Sequence, residues 1–249
     1  MYINCHSYHS LRYGTLSVDD LVSQAQTCNV KVLALTDINT VTGIYDFAKA
    51  CKDADIKPVV GMEFRSHNRL LYIGLAKNRA GIGEMCRLLT AHNCDGAELP
   101  LEAPQFENVY IIYPFSNRPR TLRQNEFIGV KPEQLNFLIQ QEWQKISKKM
   151  VIWSPVTFSG KNQHNLHRIL RAIDQNVILS KLSEEDFCTL NETMQPFDDL
   201  LRLYKNHPEI ITNTERVLQD CHFEYNYKAP KNKKHFTGSR ESDIQLLTQ

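Results

Sequence analysis

The chain has 249 residues, 42% hydrophobic and 23% charged, with a net charge of +1. That suits one large globular domain or two small ones, and excludes a global field that would draw the molecule onto a polyanion, so any basic patch is local. No apolar run reaches membrane-spanning length, no signal-peptide pattern opens the chain, and the seven cysteines show no C-x-x-C spacing; a zinc ribbon or thioredoxin-like motif is excluded, and reduced, mostly buried cytoplasmic thiols are expected.

Residues 2–5 are a short apolar-leaning segment that ends, as a strand, near His6. Leu16, Leu21, Val22, Ala25 and Cys28 then share one helical face, with Ser17 and Asp20 as a capping-box-like start. The run Lys31–Asp37 is apolar to Leu35 and predicts a strand covered on both faces. Ile44, Phe47, Ala48 and Cys51 align on a second helix, and residues 56–64 follow as a strand with Pro58 near its start. Strand and helix continue to alternate: strands at 70–77, 108–115 and 149–158, helices at 80–92, 131–143 and 162–174, and a short strand in 177–182. About seven such units predict parallel α/β structure, closed or distorted into a barrel.

From about Met194 two helices are expected, separated near His207–Pro208 with no strand between. Residues 228–240 read as a basic loop, and a helical pattern begins near Glu241 and stops at Gln249, as if cut from a longer chain. Lys228, Lys231, Lys233, Lys234 and Arg240 have no acid among them. They form either a solvated linker or a contact for a DNA backbone.

Ligands of parallel α/β folds bind beyond the carboxyl ends of strands. Three strands here end in chemically capable residues: His6, Asp37 and Glu63. Each also suits a cap, a turn or a solvated strand end, so convergence of the three on one rim is the informative feature.

The order of motifs resembles the polymerase and histidinol phosphatase (PHP) family, and within it the N-terminal domain of bacterial DNA polymerase III alpha subunits. Residues 5–26, 32–47, 56–64, 73–89 and 196–225 carry the likeness in order. It implies a distorted seven-stranded (β/α) barrel over 1–193, a helical extension over 194–225, and a basic linker leading into a polymerase region over 226–249. In metal-replete relatives, ions at the strand C-terminal rim activate water for phosphoester hydrolysis.

Carried over residue by residue, the resemblance leaves few ligands. The first histidine of the H-x-H motif falls on Asn4 and the second on His6. His9 stands where the family has tyrosine, and the next ligand falls on Tyr13. Asp37 is kept as an orienting acid, but the histidine beside it falls on Ile38. Glu63 is kept. Later ligand positions fall on Leu71, Phe115, Pro155 and Thr157. His6 and Glu63, with Asn4 as a poor substitute, are too few when stable catalytic sites need about three protein ligands. The apolar replacements are expected to fill the former rim.

The resemblance therefore implies a structural or docking domain without tightly bound cofactor; Zn, Mn or Mg would occupy only a vestigial site. Its partners would be the rest of a DNA-directed DNA polymerase (a nucleotidyltransferase using Mg), a proofreading exonuclease subunit, and DNA through that polymerase. The alternatives are an active metal-dependent phosphoesterase or 3′–5′ exonuclease, with His9 as a replacement ligand, and a stand-alone binding module. His164 and His167, three apart on one helix, are expected to pack or face solvent.

Overall fold

The structure, a computed structural model, describes residues 1–140, 143, 145–229 and 235–248. Its first helix, α1 (Val18–Thr27), begins as expected: the Ser17 hydroxyl accepts from Asp20 N at 3.0 Å. Strand β1 (Val32–Leu35) follows, then α2 (Ile44–Asp53), which buries Ile44, Phe47, Ala48 and Cys51. Strands β2 (Lys57–Ser66) and β3 (Arg69–Ala76) form a hairpin. Asn78 caps α3 (Arg79–Asp95) through the Ala80 and Gly81 amides. The remaining elements are β4 (Val109–Pro114), β5 (Glu126–Val130), β6 (Met150–Ile152), α4 (Lys161–Asp174), α5 (Phe197–Leu203), α6 (Pro208–Asp220) and α7 (Arg240–Leu247).

The six strands make one curled sheet in sequence order. The β1–β2, β4–β5 and β5–β6 pairs are parallel, whereas β3 is antiparallel to both its neighbours. This corrects the all-parallel expectation: two residues join β2 to β3, too few for the crossover that a parallel pair requires. Three further expectations change. Residues 126–130, read as no element, are a strand. Residues 132–139 and 179–181, read as part of an α-helix and of a strand, are 3₁₀ turns. The first strand is not a regular one. Tyr2 bridges Leu33 and Cys5 bridges Val156, so residues 2–5 connect β1 to the segment after β6 through isolated bridges.

Strand β2 changes partner partway. Its first half, Lys57–Val60, pairs with β1, and Gly61–Ser66 pairs with β3. Beyond Leu35 the chain re-enters the space beside β2: Glu63 N donates to the Asp37 carbonyl and Asn39 N to the Glu63 carbonyl. That crossing sets Asp37 and Glu63 next to residues 4–6. At the far edge α6 satisfies β6: Ile152 N donates to the Thr214 hydroxyl at 2.8 Å, and the Asn213 amide donates to the Met150 carbonyl at 3.0 Å. Edge groups that would template further pairing are thereby covered. Among the described residues no helix is long and apolar enough to cross a membrane.

Candidate functional site

Asn4, His6, Asp37 and Glu63 do meet at one rim, and all four are buried. His6 Nε2 lies 2.9 Å from Glu63 Oε2, the carboxylate accepting from the ring N–H. The two N–H bonds of Asn4 go to Glu63 Oε2 at 2.9 Å and the Thr36 hydroxyl at 3.0 Å, and its Oδ1 accepts from the Trp153 indole at 3.1 Å. His6 Nδ1 faces the Thr157 hydroxyl at 3.1 Å, and that hydroxyl donates to Glu192 at 2.8 Å.

The residue that organises the site is Arg65. Its Nε donates to Glu63 Oε1, its Nη2 donates to the Tyr13 hydroxyl at 2.8 Å, and its guanidinium stands 4.3 Å from the Tyr13 ring centroid. The Glu63 side chain is 1% exposed and that of Arg65 14%. Burial alone would raise the Glu63 carboxyl, but Arg65, then His6 and Asn4, outweigh it and hold the group well below the usual carboxylate range. Arg65 is correspondingly held as a cation: burial opposes this, and Glu63 more than compensates. Sequence reasoning passed over Arg65, although a signal existed, since residues two apart on a strand point to the same face.

Asp37 has a different task. Oδ1 accepts from Ser7 N at 2.7 Å and from the Ser10 hydroxyl at 2.6 Å, and Oδ2 accepts from the Ser7 hydroxyl at 2.8 Å. Burial still raises its pKa, against those three bonds. The carboxyl anchors the 7–10 turn to the end of β1. Gly14 lets that turn close, because a Cβ there would lie 1.9 Å from the Ser7 carbonyl oxygen.

Tyr13, expected only as a vanished ligand position, joins the network. Burial pushes its phenol well above the usual value, against the pull of Arg65. Its hydroxyl meets Cys188 Sγ at 2.8 Å. Behind it His167 donates from Nδ1 to the Tyr13 carbonyl at 2.7 Å and accepts at Nε2 from Cys188 N at 3.0 Å. Burial lowers the His167 pKa to about 4. His164 Nε2 bonds the Cys188 carbonyl. The two helix histidines therefore pack against backbone and do not face a common ion.

Other assigned positions lie elsewhere. Leu71 is in the hydrophobic core with Phe64, and Phe115 stacks on Trp143 at 4.1 Å. Ile38 packs near Tyr13 and Phe158. Ile38 thus packs beside the network, while polar side chains (Arg65, Tyr13, Thr157 and Asn4) occupy the centre. His9 lies against Gly43 and Tyr8, its Nε2 buried without a partner among the described residues. Of the basic segment, Lys228 is exposed; Lys231, Lys233 and Lys234 lie outside the described residues.

The donor set does not fit a metal cluster. Each Glu63 oxygen already accepts from a cation or an amide, both Asp37 oxygens are taken by serine donors, and Asn4 directs its N–H bonds inward. Among the described residues no group of three or more His, Cys, Asp or Glu side chains is placed to hold an ion, below the usual ligand requirement.

Residues 3–120 match the family model of the PHP domain. The DNA polymerase III subunit alpha of Halalkalibacterium halodurans is 24% identical over 99% of this chain and 25% of its own length. That of Ureaplasma parvum is 37% identical over 32% of this chain and 8% of its own. The chain thus spans about a quarter of the first relative's length. Among solved structures, an amidohydrolase from Chromobacterium violaceum is similar over 36% of this chain and 32% of its own, at 22% identity and a TM-score of 0.31.

Proposed function

Because this chain carries a PHP domain and is related over most of its length to DNA polymerase III alpha subunits, we propose that it serves as the N-terminal structural domain of such a polymerase and has no hydrolytic chemistry of its own. Residues 2–5 act as the closing stave of a PHP-type barrel over 1–193, and the helices of 194–225 lead out of it toward a polymerase region. The supporting observation is Arg65. Its guanidinium supplies, next to Glu63, the positive charge that ions supply in a metal-dependent site. With Glu63 neutralised from within the chain, the rim is stable without metal and offers no open coordination position for water.

The test is metal content by mass spectrometry after purification without chelators, paired with Mn-dependent hydrolysis of a phosphodiester. Well under one ion per chain and no hydrolysis are expected. Near-stoichiometric Zn, Mn or Fe, with hydrolysis lost in both His6→Ala and Glu63→Ala, would establish the phosphoesterase alternative instead.

A further inference from the structure

We propose that a groove at the N-terminal ends of β1 and β2 binds single-stranded nucleic acid through both phosphates and bases. The groove encloses about 1180 Å³ beside α2, the start of β2 and the stretch that follows α6. Lys31 immediately precedes β1 and Lys57 opens β2, so both stand at the opposite ends of these strands from Asp37 and Glu63. The inference therefore does not depend on how the other rim is read.

One wall is cationic. Lys52, Arg79 and Lys228 join Lys31 and Lys57 there, against Asp55 and Glu224 among the lining residues. Among the described residues none of these five cations forms an ion pair; Lys57 gives one N–H to the Gln219 carbonyl at 2.6 Å. Asp46 and Asp53 stand near Tyr227 and temper the field there. On a chain of net charge +1, the groove is a local concentration of positive charge.

The other wall is aromatic, formed by Phe223, Tyr225 and Tyr227. The Tyr45 ring meets that of Tyr225 at 4.5 Å, and Tyr225 meets Tyr227 at 4.8 Å. Tyr227 donates its hydroxyl to the Tyr45 carbonyl at 2.6 Å, fixing residues 223–227 along α2. Tyr227 remains 44% exposed. Cations and aromatic rings lining one groove suit a strand whose phosphates meet the positive charges while unpaired bases stack. A small anion would leave the rings unused, and a duplex keeps its bases in its own stack.

The experiment is fluorescence anisotropy of a labelled oligo-dT titrated with the 249-residue chain at several salt concentrations. Its comparisons are the Lys31→Glu/Lys52→Glu/Arg79→Glu triple variant, Tyr227→Ala, a duplex and inorganic polyphosphate. All three reversed residues are exposed, and circular dichroism checks that the variants fold. Salt-dependent binding is expected, weakened at least tenfold by the triple variant, with the log–log salt slope reduced by about 0.7 for each phosphate that is no longer neutralised. Tyr227→Ala is expected to weaken oligo-dT severalfold and leave polyphosphate unchanged. Absence of wild-type binding, equal affinity of the triple variant, or preference for duplex overturns the proposal. A Tyr227→Ala effect that is equal for oligo-dT and polyphosphate overturns the role of the bases.

Discussion

Arg65 and Lys31 carry the same charge at opposite ends of one curled sheet, yet their surroundings differ in kind. Arg65 is enclosed with Glu63, Tyr13 and His6, where its Nε and Nη2 and the His6 ring all find acceptors. Lys31 is exposed beside four other cations that form no ion pairs among the described residues. Charge that is buried and matched holds a structure together, because either partner alone would be stranded in a low dielectric. Charge that is exposed and unmatched contributes little to stability and remains free to meet a partner. A formal charge therefore says little about function until its solvation and pairing are known.

The largest effect that would sharpen this contrast is Arg65→Ala. It strands the Glu63 carboxylate in the core and is expected to cost about 3–5 kcal/mol in urea unfolding. Arg65→Met combined with Glu63→Gln should recover much of that loss. A single-variant cost below about 1 kcal/mol would show that the pair does not hold the rim.

The pH response of the closed end comes next. His167 is fully buried, and its pKa falls from the ordinary histidine range to about 4. The unfolded chain binds that proton more readily, so the stability is present above pH ~6.5 and declines toward pH 4, by up to about 3 kcal/mol. Urea unfolding at pH 7 and pH 5 reads this window before Glu63, whose folded pKa is depressed, begins to lose its own contribution below about pH 4.5. His167→Gln should flatten the step between pH 7 and pH 5; an unchanged step would assign it to another group.

Gly14→Ala is expected to cost about 1–3 kcal/mol, since the added methyl meets the Ser7 carbonyl and forces the Asp37-anchored turn to move. The smallest change belongs to the open end. Lys52→Glu should alter stability by no more than about 0.5 kcal/mol. A larger loss would mean that the groove cations are structural after all.

Much of the architecture was legible. The spacing of Ile44, Phe47, Ala48 and Cys51 marked α2, and the break at His207–Pro208 separated α5 from α6. The parallel expectation holds for three pairs and fails at β3, where the two residues between Ser66 and Arg69 leave room only for a hairpin. Strand β5 was missed because five residues interrupted by Gly129 give a weak period. At the site, His6, Asp37 and Glu63 converge on one rim as their strand-end positions suggested. The Glu63–Arg65 pairing was visible in the two-residue spacing, but the contacts of Tyr13, Thr157 and Cys188 depend on long-range packing that no local pattern encodes.

The bridges of residues 2–5 have a kinetic consequence. Tyr2 meets Leu33 and, through its hydroxyl, the backbone of Gln195, while Cys5 meets Val156. The Gln195 and Val156 contacts span more than half of the sequence, and closing long loops delays their formation. During synthesis residues 2–5 precede their distant partners, so the Cys5–Val156 and Tyr2–Gln195 contacts wait until those later residues have been made. Until then residues 2–5 lack their partners beyond β6, and aggregation competes with folding over that interval.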